Sequence, residues 1–389
     1  MRGLLAAGLL GAALSISADE QASVMARFLD LQSSEADMCT VNLLEIEYET
    51  ALSSCASTAL PHALSNQHNL AVLQLFGVAG QANVAHGLQL LRSAARAGHR
   101  GSMAALAYAR EVGLAGEVDH SKALSWARLS AAANHAEGFY LVGSYYESGT
   151  GVTADAGIAS EWYQRAVDAG HVEAHTRLAI QHHLGNGVAI DNYKAAQLFE
   201  TAAIAGEPQA QFHLGLLYLR GIGVEQSHDE AFVWFGRAAE QDHAGAQNNL
   251  AYLYANGRGV GRDMTKARQW FTLAAASGHV DAQLSLGRIY AQGIETHPDP
   301  SRAAKFYRMA ANQGSVEASY ELAVLYVRGE GVAQNIFNAH LLASISAHGG
   351  SNKAIGLVTT LEAAMTPEQI AHARVFTEQN LKNLDLVRP

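Results

Sequence analysis

One spacing governs this chain: 36 residues, repeated without an insertion. An aromatic or leucine position falls at Leu90, Trp126, Trp162, Leu198, Trp234, Trp270, Phe306 and Leu342. In step with it run Leu70, Leu106, Val142, Leu178, Leu214, Leu250, Leu286 and Leu322, each followed by alanine or glycine. A unit this short buries its apolar face only by stacking on its neighbours, so the period predicts a solenoid. Solenoids present surfaces more often than they perform chemistry. The first expectation is a binding scaffold.

Each unit reads as two helices joined by a turn. In the fourth, Val172–Leu184 carries Ala174, Leu178 and Ala179 on one face at helical spacing. Gly185-Asn186-Gly187-Val188 then breaks the helix, because glycine reaches the left-handed conformation that ends one. The second helix opens at Asp191, and the equivalent residues are Asn83, Asp119, Asp155, Ser227, Asp263, Asp299 and Asn335. All are N-cap types, whose side chains accept from unpaired amides of the first helical turn. The Gly-x-Gly-Val turn is no phosphate loop, since none of its copies follows a strand or carries Gly-Lys-Ser/Thr.

The pattern resembles the Sel-1-like repeat family, relatives of the tetratricopeptide repeat. Ala210, Leu214, Gly215, Tyr218, Gly221, Gly223, Val224, Ala231, Trp234, Phe235, Ala238 and Ala239 match its motif, and the next unit matches as closely through Leu250, Tyr254, Asp263, Lys266, Trp270 and Phe271. The resemblance implies an all-α fold, a right-handed α/α solenoid of eight helix-turn-helix repeats with helical caps. Departures are local: Gln181-His182 replaces an aromatic stretch, Glu295 a turn glycine, and Ala115-Gly116 alters one turn. None changes the spacing, so the stack is expected to survive them.

The expected organisation is a signal peptide at 1–18, a helical cap at 19–63, repeats over 64–350 and capping helices at 351–389, the part after the leader forming one continuous domain. Arg2 precedes an apolar stretch from Leu4 to Ile16, with small residues before Asp19, the layout of a secretory leader. It is too short for a comfortable membrane span. The expected location is therefore outside the cytoplasm, in a bacterial periplasm or secreted. A formal charge of −10 without a basic run argues against nucleic acid as the main partner. Near the other end, Thr366-Pro367-Glu368-Gln369 spells a capping box with proline at the first helical position.

The two cysteines, Cys39 and Cys55, flank a segment that reads as helix. A continuous helix would hold their α-carbons roughly 24 Å apart, so either it bends or they do not pair with each other. Of the 18 histidines, His99, His135, His171, His243 and His279 recur after the glycine-like site between units. A ladder of this kind suits repeat junctions, because a metal needs ligands converging on one point. His175, His182 and His183 form a tighter group, yet two helical turns separate its members by about 10.5 Å. No nucleophile elbow and no zinc-protease motif is present. The expectation is no catalytic residue, no metal and no cofactor.

By analogy with tetratricopeptide repeats, first helices line a groove for a protein or peptide ligand. The side chains placed there by register are Tyr108, Tyr140, His183, Phe212 and Arg220, followed by Tyr252, Arg288, Tyr320 and Arg328. Tyrosine, phenylalanine and arginine supply binding hot spots. The family it resembles includes host-interaction factors and periplasmic scaffolds of bacteria. Two other readings stand beside these: a luminal quality-control adaptor of the endoplasmic reticulum, and a hydrolase acting on cell-wall fragments or β-lactams. The resemblance lends the second little, because its β-lactam-linked members carry cysteine pairs inside the repeats and these repeats have none.

Overall fold

The computed structural model describes residues 25, 27–29, 51, 54–55, 63–76, 83–295 and 297–385. The expected leader at 1–18 and Cys39 lie outside them. Among the described residues there are helices and no strand. In chain order these are α1 (Ala63–Phe76), α2 (Val84–Arg96), α3 (Arg100–Glu111), α4 (His120–Ala132), α5 (Ala136–Ser148), α6 (Ala156–Asp168), α7 (Val172–Leu184) and α8 (Asn192–Ile204). There follow α9 (Pro208–Arg220), α10 (His228–Ala239), α11 (Ala244–Asn256), α12 (Met264–Ala276), α13 (Val280–Gln292), α14 (Pro300–Asn312), α15 (Val316–Arg328), α16 (Ile336–His348), α17 (Asn352–Ala363) and α18 (Pro367–Asp385). Odd-numbered helices are the first helices of the repeats. The chain forms two compact units that divide between Ala205 and Gly206. Within each unit, a first helix packs on the second helix of its repeat, and that helix packs on the first helix of the next, as an all-α solenoid does.

The repeat signature is the core. Leu106, Val142, Leu178, Leu214, Leu250, Leu286 and Leu322 are all buried, as are the alanines that follow four of them. At Gly143, Gly215 and Gly287 the second helix brings an aromatic ring onto that position. A Cβ on Gly287 would lie 2.4 Å from the Tyr307 ring, so only glycine lets the two helices meet. All eight expected caps form: Asn83, Asp119, Asp155, Asp191, Ser227, Asp263, Asp299 and Asn335 each accept from an amide of the following helical turn. Each contributes on the order of 1 kcal/mol. The turn between the paired helices also forms as expected, with Gly149, Gly185, Gly221, Gly257 and Gly329 closing first helices in the left-handed conformation.

The three departures from the pattern leave the stack intact. Gln181 makes the same reach as Tyr145 in the preceding repeat: Tyr145 donates to Glu111 at 2.8 Å, and Gln181 Nε2 reaches Glu147, one repeat on, at 3.5 Å. Glu295 adopts the left-handed φ of +53° that its glycine equivalents adopt without strain. A junction weakness that the pattern did not signal lies in the second unit. Gln241 and Gln313 each donate to a buried glutamine of the preceding first helix, Gln211 and Gln283, at 2.9 Å. Ser277 stands at the same register and is too short, and the Oε1 of Gln247 is left without a protein partner.

At the C-terminal end, α17 continues the register as a ninth first helix, with Ala354 fully buried. The capping box closes reciprocally, Thr366 N donating to Gln369 Oε1 at 2.9 Å and Gln369 N to Thr366 Oγ1 at 3.3 Å. The helix it starts, α18, lies against α16, and Arg374 clamps Glu362 through two nitrogens at 2.8 and 2.9 Å. In the first unit, Met25, Phe28, Ala51 and Cys55 are buried in one apolar cluster with Ala71, Leu75 and Leu106 of α1 and α3. Cys55 is disulfide-bonded, so its sulfur is no free thiol.

Candidate binding site

First helices begin at the turns between repeats. The residue before each is the N-cap, and at the ladder positions that residue is histidine. His99, His171 and His243 accept through Nδ1 from Ser102, Ala174 and Ala246 at 3.1–3.3 Å. The other ring nitrogen then carries the proton and reaches back 34 residues: His171 Nε2 lies 2.8 Å from Glu137 Oε2, and His243 Nε2 lies 3.0 Å from Gln209 Oε1. Each ring also stacks on the preceding first helix, His171 on Tyr140 at 4.4 Å and His243 on Phe212 at 4.5 Å. One side chain therefore caps a helix, bonds to a neighbour and packs between repeats. The ladder is junction structure, as the spacing predicts. Among the described residues no three metal-ligating side chains converge, and His175, His182 and His183 turn to the separate partners His171 O, Ala189 O and Asn192.

In the first unit three such turns, at 97–101, 134–137 and 169–173, line a cavity of about 860 Å³. Arg27, Phe28 and Leu29, with Leu64, Ser65 and His68 of α1, form its remaining wall. The Arg27 guanidinium forms an ion pair with Glu137, 110 residues away, and lies 4.8 Å over the Tyr140 ring. Burial pushes the Glu137 carboxyl up, but Arg27 and His171 outweigh it and hold the group at about 2. Arg27 is correspondingly held charged: burial disfavours its cation, and Glu137 overcomes that. Phe28 sets its ring 5.2 Å from Tyr108, and its carbonyl accepts from His68 Nε2 at 2.6 Å. The cluster holds charge, ring faces and a backbone carbonyl in fixed positions.

The residues placed in the groove from sequence fall into two groups. In the first unit, Tyr108 and Tyr140 are covered by Phe28 and Arg27 respectively, and Tyr140 is buried. His183 is half-buried with Nδ1 2.8 Å from Asn192. In the second unit, Phe212 packs between His243 and Phe235. Tyr252 is 38% exposed and bonds through its hydroxyl to Ser285 at 2.8 Å. Arg288 pairs with Glu317, Arg328 lies 3.8 Å from Glu330, Tyr320 is half-buried and Arg220 is exposed. Tyr252, Arg288 and Glu317 come from three successive first helices, with Glu321 beside them. Burial raises the Glu321 carboxyl, and Glu317 adds to this while Arg288 opposes it. The residues that sequence reasoning missed are Arg27, Glu137 and His171. Of these only His171 carried a signal, its place in the ladder.

Burial lowers the pKa of both His243 and His279 below the ordinary 6.5. The unfolded chain binds protons first as pH falls, so the stability these rings contribute is full above 6.5 and is lost as pH falls through their depressed folded values. The second unit should melt at a lower temperature at pH 5 than at pH 7.5. His243→Asn, which keeps a capping acceptor without a titrating ring, should flatten that dependence. A wild-type melting temperature unchanged across this range would contradict the assignment.

Stacked helix pairs of one length, joined by glycine turns and histidine or serine caps, define an α/α repeat protein. The Sel1 repeat model matches residues 67–99, 101–135, 137–171, 172–207, 208–243, 244–279, 280–315 and 316–351, and the chain belongs to that family. Sel1 repeat proteins are generally protein-interaction scaffolds, and their solenoid fold is typically non-catalytic. Among solved structures, a Sel1 repeat protein from Oxalobacter formigenes is 25% identical with a TM-score of 0.59, over 85% of this chain and 96% of that one. A protective antigen with an SLR fold, present in uropathogenic Escherichia coli strains, is 20% identical with a TM-score of 0.54, over 96% and 95%. No curated protein matches the chain. Among the described residues no helix is long and apolar enough to cross a membrane.

Proposed function

We propose that this protein is an exported, non-catalytic scaffold that holds a protein partner on its first-helix faces. The observation that carries the reading is the second-unit face where Tyr252, Arg288, Glu317 and Arg328 stand on consecutive first helices with their polar ends partly exposed. Aromatic and guanidinium groups are the usual anchors of an interface, and carboxylates beside them select charge. The apolar leader read from residues 4–16 supports export, to the periplasm or beyond the cell, in envelope regulation or host interaction. The partner is a protein or peptide.

The test is a capture measurement with Tyr252→Ala/Arg288→Ala. Both side chains are partly exposed, so helical content should stay at the wild-type level while affinity for the captured partner falls about tenfold or more. Equal affinity with intact helicity would move the partner elsewhere. Export has its own readout: the mass of the protein recovered outside the cytoplasm should lack residues 1–18, and a full-length cytoplasmic mass would end that part of the reading.

A further inference from the structure

We propose that Arg27 and Phe28 occupy the binding surface of the first unit in cis, and that the same surface takes from a partner protein a segment with an arginine followed by an aromatic residue. This rests on the scaffold reading and names the chemistry of one of its sites. Register alone places Tyr108 and Tyr140 where a groove-bound ligand would lie, and the structure shows Phe28 on the first and Arg27 on the second. The contacts are those of peptide recognition: a guanidinium paired with Glu137 and lying over the Tyr140 ring, a ring against Tyr108, and a backbone carbonyl held by His68.

The receiving clamp is made by the repeats themselves. Glu137 opens α5, Tyr140 follows one turn on, and His171 locks both by bonding to the carboxylate while stacking on the ring. His171 is in turn fixed as the N-cap of α7. These contacts remain when Arg27 leaves, and the buried carboxylate then calls for a replacement cation. The Arg27 side chain remains 28% exposed while Glu137 is 8% exposed, so the cation is the solvent-facing half of the pair. The cavity of about 860 Å³ beside Leu29 gives an incoming segment room to extend past the clamp. Release of the chain's own segment then precedes or accompanies capture, and the resting protein is partly closed to its partner.

The experiment uses the full chain carrying Arg27→Ala/Phe28→Ala and a fluorescent peptide of residues 24–31. Anisotropy should show saturable one-to-one binding to this variant and at least tenfold weaker binding to wild type, whose clamp is filled. A peptide with alanine in place of its arginine should not bind, and adding Glu137→Gln to the variant should abolish binding. Equal binding to wild type and variant, or none to a variant of wild-type helicity, overturns the proposal. If the double variant loses helical signal, Arg27→Gln/Phe28→Leu, which keeps apolar volume but removes the ion pair and the ring contact, replaces it, and absence of binding there is equally decisive. A peptide that fails while a protein is still captured through Tyr252 and Arg288 removes this inference and leaves the scaffold reading. Loss of all capture would instead remove the scaffold reading.

Discussion

Replacing Glu137 by alanine should destabilise the first unit by about 3–5 kcal/mol. The carboxylate is buried and satisfies two groups at once, the Arg27 guanidinium and the Nε2–H of His171. Removing it leaves a part-buried cation and a buried donor with nothing to face, which costs more than the pair itself contributes. Arg27→Met should cost less, because Glu137 keeps His171, and the double variant should be milder than the sum of the two. Urea denaturation of all four proteins measures the coupling, and strictly additive losses would mean that the ion pair is incidental. The same carboxylate predicts an acid limit. Its folded value of about 2 lies below the ordinary 4.5, so its contribution is complete above pH 4.5 and is lost as pH falls toward 2. That contribution is worth about 3 kcal/mol. Glu137→Gln should therefore shift the acid transition of the first unit upward.

The second large effect lies in a turn. Gly187 has φ +77°, and a Cβ there would meet the carbonyl carbon and oxygen of Ala156 at 2.2 Å. Gly187→Ala therefore carries two costs: about 1–2 kcal/mol for the left-handed backbone and about 1–3 kcal/mol for driving a turn off the helix start beneath it. Gly170 separates them. Its φ is +82° with nothing within 4 Å of a Cβ, so Gly170→Ala should show the backbone cost alone. The natural exception supports the split. Glu295 occupies the register of Gly187 with φ +53°, and Glu295→Gly should recover on the order of 1 kcal/mol. Equal losses at Gly187 and Gly170 would show that the turn does not touch the preceding repeat as described.

What the sequence made legible is what repeats share. Eight units impose the same demand at Asp191 and its equivalents, at Leu178 and its equivalents and at the turn glycines, so a pattern in one is confirmed in seven others. Local chemistry was equally readable at Thr366 and Gln369, where the partners are three residues apart. What belongs to one copy was not readable. Arg27 and Glu137 are 110 residues apart, and no spacing rule joins a pre-repeat residue to the third repeat. The histidine ladder was read as junction structure, yet the capping role of His99, His171 and His243 was hidden because histidine is seldom an N-cap. Tyr108 and Tyr140 were placed correctly on first helices, and only the fold shows that Phe28 and Arg27 lie on them. What Ser277 lacks shows only beside Gln241 and Gln313, which fill its register position in the neighbouring repeats.

The most direct test of the scaffold account is capture by the full chain in living bacteria. The protein is expressed with its N-terminus intact, crosslinked mildly in the cell and recovered from the envelope and medium fractions, alongside Tyr252→Ala/Arg288→Ala. The account predicts a processed protein outside the cytoplasm, crosslinked to a defined protein in saturable amount, with that product lost in the double variant. A chain that stays in the cytoplasm, or one whose crosslinks are unchanged by the two substitutions, would contradict it.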